Sequence, residues 1–167
     1  MQLNDITVDL DVIDVDNTGD IATQSYTLPL TGKVPVDNGI MMIYQSPNFF
    51  GYAVTFGAFY KDNTKEIDSS PSASVSCKAS VCSPNDEFDK GLGIQIVIGR
   101  LVQAEDWDSI VVSKTKEEVE VSLNASVQNA AAELAEYLHH RDECMAMFGM
   151  SQRTVNNSLE EQFSRFK

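Results

Sequence analysis

The chain has 167 residues and a mass of 18.4 kDa, with 12 Lys and Arg against 25 Asp and Glu, a net charge of −13 and a pI ≈ 4.3. A hydrophobic content of 43% can fill the core of one domain, and no apolar run approaches the roughly 18 residues that a membrane-spanning helix requires. This composition excludes wholesale disorder and a helical membrane span, and it argues against a phosphate backbone as the partner of the acidic half.

The charge is uneven. Residues 1–110 carry 16 acidic and 6 basic side chains, residues 111–167 carry 9 and 6. Six aspartates, Asp5, Asp9, Asp11, Asp14, Asp16 and Asp20, fall in the first twenty residues, which contain no Lys or Arg. The first residues show neither a basic region nor an apolar export region, so a cytosolic protein is expected. Cys77, Cys82 and Cys144 stand at unrelated spacings with no second pair to complete a zinc site, which predicts free thiols.

Ile6, Val8, Leu10 and Val12 alternate with Thr7, Asp9 and Asp11, the period-2 pattern of a strand with an apolar and an acidic face. A turn at 16–20 and renewed alternation to Leu28 predict a hairpin over 3–28. Short strands are predicted at Ile40–Tyr44 and Gly51–Tyr60, separated by Ser46-Pro47-Asn48, and another at Ala73–Val81 after a polar loop. The aromatic residues Phe49, Phe50, Tyr52, Phe56, Phe59 and Tyr60 are expected in the core. Ser83-Pro84 reads as an N-cap followed by proline at the first helical position, predicting a helix over 83–103 with Phe88, Leu92, Ile96 and Gly99 on its packed side. Ile110–Ser113 and Val119–Leu123 are read as a last hairpin around Lys114–Glu118. From Asn124 the spacing of Val127, Ala131, Leu134, Leu138, Met145 and Phe148 predicts the strongest helix, followed by a short one at Thr154–Phe163. The expected fold is α+β, one domain, mainly β over 1–82 and mainly α over 83–167 with a short β hairpin. Its antiparallel sheet of five to seven strands is packed by two main helices and followed by a short C-terminal helix.

No catalytic constellation emerges. Asp14-x-Asp16-x-Thr18-Gly19 matches the front of a calcium loop, but the position that should supply a bidentate Glu is Ser25. Gly91-Leu92-Gly93 lacks the third glycine of a dinucleotide fingerprint, where Ile96 stands. His139 and Glu143 are one helical pair without a third metal ligand. No metal, cofactor or enzyme activity is expected.

Two segments stand out. Cys82-Ser83-Pro84-Asn85-Asp86-Glu87-Phe88-Asp89-Lys90-Gly91, continued to Arg100-Leu101, resembles a segment of small bacteriophage-encoded proteins, mostly of unassigned activity. The resemblance covers about residues 82–101 and implies a phage origin and residence in the host cytosol, without implying a chemistry. On the residues themselves, Ser83 caps, Phe88 anchors the helix to the sheet and Arg100 pairs with aspartates. The second segment, Phe148-Gly149-Met150 through Leu159, is similar to the turn and second helix of a helix-turn-helix, with Gln152, Arg153 and Asn156 exposed for the major groove. Its positive charge is thin for that task.

The reading favoured by the acidic hairpin is a non-enzymatic binding protein. It would engage a host protein through Asp5, Asp9, Asp11, Asp14, Asp16 and Asp20, inhibiting or modifying it, with mimicry of nucleic-acid charge as one route. The alternative is a DNA-binding regulator acting through Gln152, Arg153 and Asn156. The sequence leaves self-association open.

Overall fold

Alternating and β-branched runs put strands through the first two-thirds of the chain, and helical periodicity dominates afterwards. The computed structural model describes residues 5–13, 19–63, 71–83, 85–113, 115–148 and 162–167. Among them, strands β1 (Ile6–Ile13) and β2 (Ile21–Leu28) form a two-stranded antiparallel ribbon. Strands β3 (Leu30–Val36), β4 (Gly39–Phe49), β5 (Tyr52–Asp62), β6 (Ser72–Cys82) and β7 (Asp108–Val112) form an antiparallel sheet in that order. The class is α+β, as the sequence predicts, although the strands divide into two sheets.

One face of the five-stranded sheet carries helix α1 (Lys90–Val102), and the other carries helix α2 (Lys116–Phe148), the ribbon and a terminal 3-10 turn at Ser164–Phe166. Tyr44, Phe56, Val75 and Ala79 meet Leu123, Val127, Leu134 and Leu138 of α2 on this second face, where Ile6, Val8 and Leu28 of the ribbon also bury. Met41 and Ile43 point the other way, onto Val97 and Leu101 of α1. The aromatic run over 49–60 is core as expected, with Phe59 half-buried against Trp107 at 5.2 Å between ring centroids.

Several expectations are corrected. β3 is an edge strand that the sequence hides behind Gly32 and Pro35, because an edge tolerates a residue that cannot donate to a ladder. β4 runs on through Ser46-Pro47-Asn48 to Phe49, absorbing them as an irregularity in register. Residues 119–123 are not a strand but the first turns of α2, whose 33 residues span about 50 Å. Thr115 starts that helix, since its Oγ1 accepts the Glu118 N–H at 3.2 Å.

α1 also begins later than expected. Its N-cap is Asp89, whose Oδ1 accepts the Leu92 N–H at 3.0 Å, while Ser83 caps a tight turn by accepting the Asn85 and Asp86 N–H groups. Pro84 lies outside the described residues. The packed stripe is Gly93, Val97 and Leu101 rather than Leu92, which is 53% exposed. A Cβ at Gly93 would overlap Thr55 Oγ1, and one at Gly57 of β5 would overlap Val97. The backbone at each glycine is therefore met by a side chain of the other element, Gly93 by Thr55 and Gly57 by Val97, and Gly93, which weakens α1 as an isolated helix, lets it pack.

Candidate functional site

The ribbon's two faces differ sharply. Alternation along β1 turns Ile6 and Val8 into the core and leaves Thr7, Asp9 and Asp11 exposed, opposite Thr27, Ser25 and Thr23 of β2. The outer face is a plane of carboxylates and hydroxyls. Thr23 Oγ1 donates to Asp11 Oδ1 at 2.8 Å, and the hydroxyls of Thr7 and Thr27 lie 3.1 Å apart. These cross-strand pairs hold Asp11 in one orientation while its charge stays in water.

The six aspartates do not share one task. Asp5 Oδ1 accepts the Leu30 N–H at 2.8 Å, so this carboxylate fixes the corner where the ribbon passes into β3. Asp9 and Asp11 share the outer face, and Asp20 is exposed just before β2. Asp14 and Asp16 lie outside the described residues, as do Gln152, Arg153 and Asn156 of the helix-turn-helix reading.

A two-stranded ribbon alone is only marginally stable in water, and here polar contacts outside it supply support. Gln128 Nε2 of α2 donates to the Thr7 carbonyl at 2.6 Å, satisfying a group on the side of β1 away from β2. The Pro29 carbonyl accepts the Gln45 N–H at 3.1 Å. Burial of Ile6, Val8 and Leu28, with Tyr26 packed on Phe50 at 4.6 Å between centroids, completes the docking.

Within residues 82–101 the described contacts are internal to the fold. Arg100 hydrogen-bonds the Ala79 carbonyl of β6, tying α1 to the sheet, and burial lowers its pKa. Phe88 is half-buried and lines a recess with Cys82, whose thiol donates to the Asp86 and Glu87 carbonyls at 3.6 and 3.7 Å. Cys77 is buried and Cys82 half-buried, and neither is in a disulfide among the described residues. His140 Nδ1 approaches Gln162 Oε1 at 3.4 Å, His139 is half-buried, and the Glu143 side chain lies outside the described residues. Among the described residues no three metal-ligating side chains converge.

The sequence reading misses the buried polar groups. Lys78 sits in the polar phase of β6, yet it is buried, and its Nζ donates to the Arg165 carbonyl at 3.0 Å. Asp106 lies 4.0 Å from the same ammonium, and Ser76 Oγ donates to the Asp106 carbonyl at 2.8 Å. Both faces of β6 are therefore covered, which alternation alone cannot reveal. Arg141 is likewise buried, with its guanidinium 5.0 Å from the Tyr52 ring centroid. On the α2 side Tyr44 and Tyr60 turn their phenols toward each other and toward Cys77. Burial pushes the Tyr44 phenol up to about 12 and raises Tyr60 further.

Comparison with protein-family models, with curated proteins and with solved structures returns no match.

Proposed function

We propose that this chain is a non-enzymatic binding protein that presents the outer face of its β1–β2 ribbon to a basic surface on a partner protein. The observation that carries this reading is the arrangement of Asp9 and Asp11 on an exposed face whose opposite strand offers only hydroxyls, with no Lys or Arg before Lys33 to neutralise it. Such a face attracts a cationic partner at long range and orients it by short hydrogen bonds. In the setting that the 82–101 resemblance implies, the partner is a host factor bound in the host cytosol during infection.

The test pairs the wild-type chain with Asp9→Asn/Asp11→Asn as baits in host lysate. A partner held by the wild type, released by raised salt and lost from the double variant supports the reading. Equal capture by both baits, or return of bait alone at high protein concentration, overturns it.

A further inference from the structure

The hydrogen-bond phase of the ribbon shows which backbone groups β2 turns outward. Gln128 reaches the Thr7 carbonyl from the side of β1 away from β2, so Thr7 and Thr27 form a pair without ladder bonds, and in an antiparallel ribbon every second pair repeats that pattern. The pairs Asp9–Ser25, Asp11–Thr23 and Ile13–Ile21 share this phase, and Ile21, Thr23 and Ser25 therefore point their N–H and C=O groups away from β1. Pro29, in the same phase just past β2, agrees: its carbonyl faces away from β1 and accepts the Gln45 N–H of β4. β4 accompanies this edge only to its own end, where Phe50 packs on Tyr26. Beyond that point Ile21–Ser25 are exposed, and no described residue bonds the outward backbone groups of Thr23 and Ser25.

Open edges are ordinarily guarded by Lys, Pro or a bulge. β3, the edge of the larger sheet, has all three, in Lys33, Pro35 and the register shift between Leu30 and Gly32. The stretch Ile21-Ala22-Thr23-Gln24-Ser25 of β2 has no charge and no proline, and its register with β1 is regular. One molecule thus blocks one edge against strand addition and leaves the other open to it.

Charge selects the occupant. A strand added to β2 lies about 10 Å from β1, across the short side chains of Thr23 and Ser25. The Thr23 hydroxyl draws the Asp11 carboxylate toward β2 at 2.8 Å, leaving its other oxygen free for a cation arriving from that side. Lys or Arg at alternate positions of the added strand reaches over Thr23 and Ser25 to Asp11 and Asp9. A second copy would instead bring another net charge of −13 and offer only uncharged Thr and Ser at the seam.

From these observations we infer that a partner protein attaches by adding a basic edge strand to β2, with backbone hydrogen bonds at Thr23 and Ser25 and cationic side chains on Asp9 and Asp11. The inference rests on the acidic-face reading above and adds to it the mode of attachment.

The probe is a cyclic β-hairpin peptide with Lys at alternate positions of its free strand, compared with the same hairpin N-methylated at the outward amides of that strand. Both are titrated into the whole chain and read by amide hydrogen exchange. In the free chain Thr23 and Ser25 should exchange faster than Ala22 and Gln24, whose N–H groups bond β1, and the parent hairpin should protect Thr23 and Ser25 saturably. N-methylation keeps the charge and removes the donors, and should weaken binding about ten-fold. Ser25→Pro removes one outward N–H and no bond to β1, and should weaken the parent hairpin by a similar factor. Equal binding of the two hairpins, with Asp9→Asn/Asp11→Asn weakening both, would overturn strand addition while the acidic-face reading stands. Undiminished binding of the parent hairpin to Asp9→Asn/Asp11→Asn would overturn both. Absence of saturable protection, or protection of Thr23 and Ser25 in a dimer of the chain alone, would also overturn the inference.

Discussion

Asp5 and Asp9 lie on the same strand approach, yet their carboxylates act differently. Asp5 accepts the Leu30 N–H, whereas Asp9 faces solvent opposite Ser25. Asp5→Ala therefore removes a charge-assisted hydrogen bond and should lower stability by about 1–2 kcal/mol, while Asp9→Ala should stay within about 0.5 kcal/mol of the wild type. Urea denaturation distinguishes the two, and equal effects would show that the corner does not depend on Asp5. A similar contrast separates the glycines. Gly93→Ala drives a methyl into Thr55 Oγ1 and should cost about 1–3 kcal/mol, whereas a methyl at Gly99 meets nothing within 4 Å and Gly99→Ala should stabilise the helix by about 1 kcal/mol. Thermal unfolding of the pair checks both signs.

At the scale of elements, the β4–β5 turn is held by aromatic packing around an unusual backbone. Phe50 has φ 50° and Gly51 φ 88°, the double positive φ of the turn that matches strand twist, but the first position holds a buried phenylalanine instead of the usual Asn. Phe50 packs on Tyr26 of the ribbon and on Phe49, at 4.6 and 5.0 Å between centroids, and these contacts offset the backbone cost. Phe50→Ala keeps the unfavourable φ and loses the packing, so it should destabilise by about 3–5 kcal/mol in chemical denaturation. At α2, Thr115→Ala removes the acceptor of the Glu118 N–H and should cost about 1 kcal/mol.

The β1–β2 hairpin and the body of α2 were legible because their apolar periods are uninterrupted. α2's start was misread as the turn of a hairpin because Val119 and Val121 look β-like by residue type, although Thr115 and Glu118 stand at the spacing of a capping box. β3 was illegible because Pro35 reads as a break unless the strand is known to lie at an edge. α1's packed face was mis-phased because glycine carries no hydrophobic signal, although Gly93 sits directly against the Thr55 side chain of β5. For the candidate site, alternation located Asp9 and Asp11, whereas nothing in sequence order shows that Asp5 is used by the Leu30 N–H or that Lys78 is buried.

For the molecule as a whole, the excess of 25 acidic over 12 basic groups works against compactness, and the buried phenols set an upper limit on pH. Tyr44 holds its proton to about 12 and Tyr60 beyond that, while in the unfolded chain both ionise near 10. The folded state thus binds more protons above pH 10. Stability from these residues is intact below that pH and is lost as pH rises, by about 1.4 kcal/mol per unit for each phenol that stays protonated only in the fold. Alkaline titration followed by circular dichroism should show unfolding that begins above pH 10. Tyr44→Phe should flatten the slope, and an unchanged slope would mean that the phenol is already ionised in the fold.

The ribbon's anchorage has a kinetic consequence. With Thr7 tied to Gln128, Leu30 to Asp5 and Gln45 to Pro29, the outer face is already shaped before any encounter. Under the proposed function, a protein partner would have no strand to order, and recognition would proceed as rigid-body capture. The on-rate of such a complex is then expected to fall steeply with ionic strength, while its off-rate, set by short-range contacts, changes little, which stopped-flow mixing over a salt series would check.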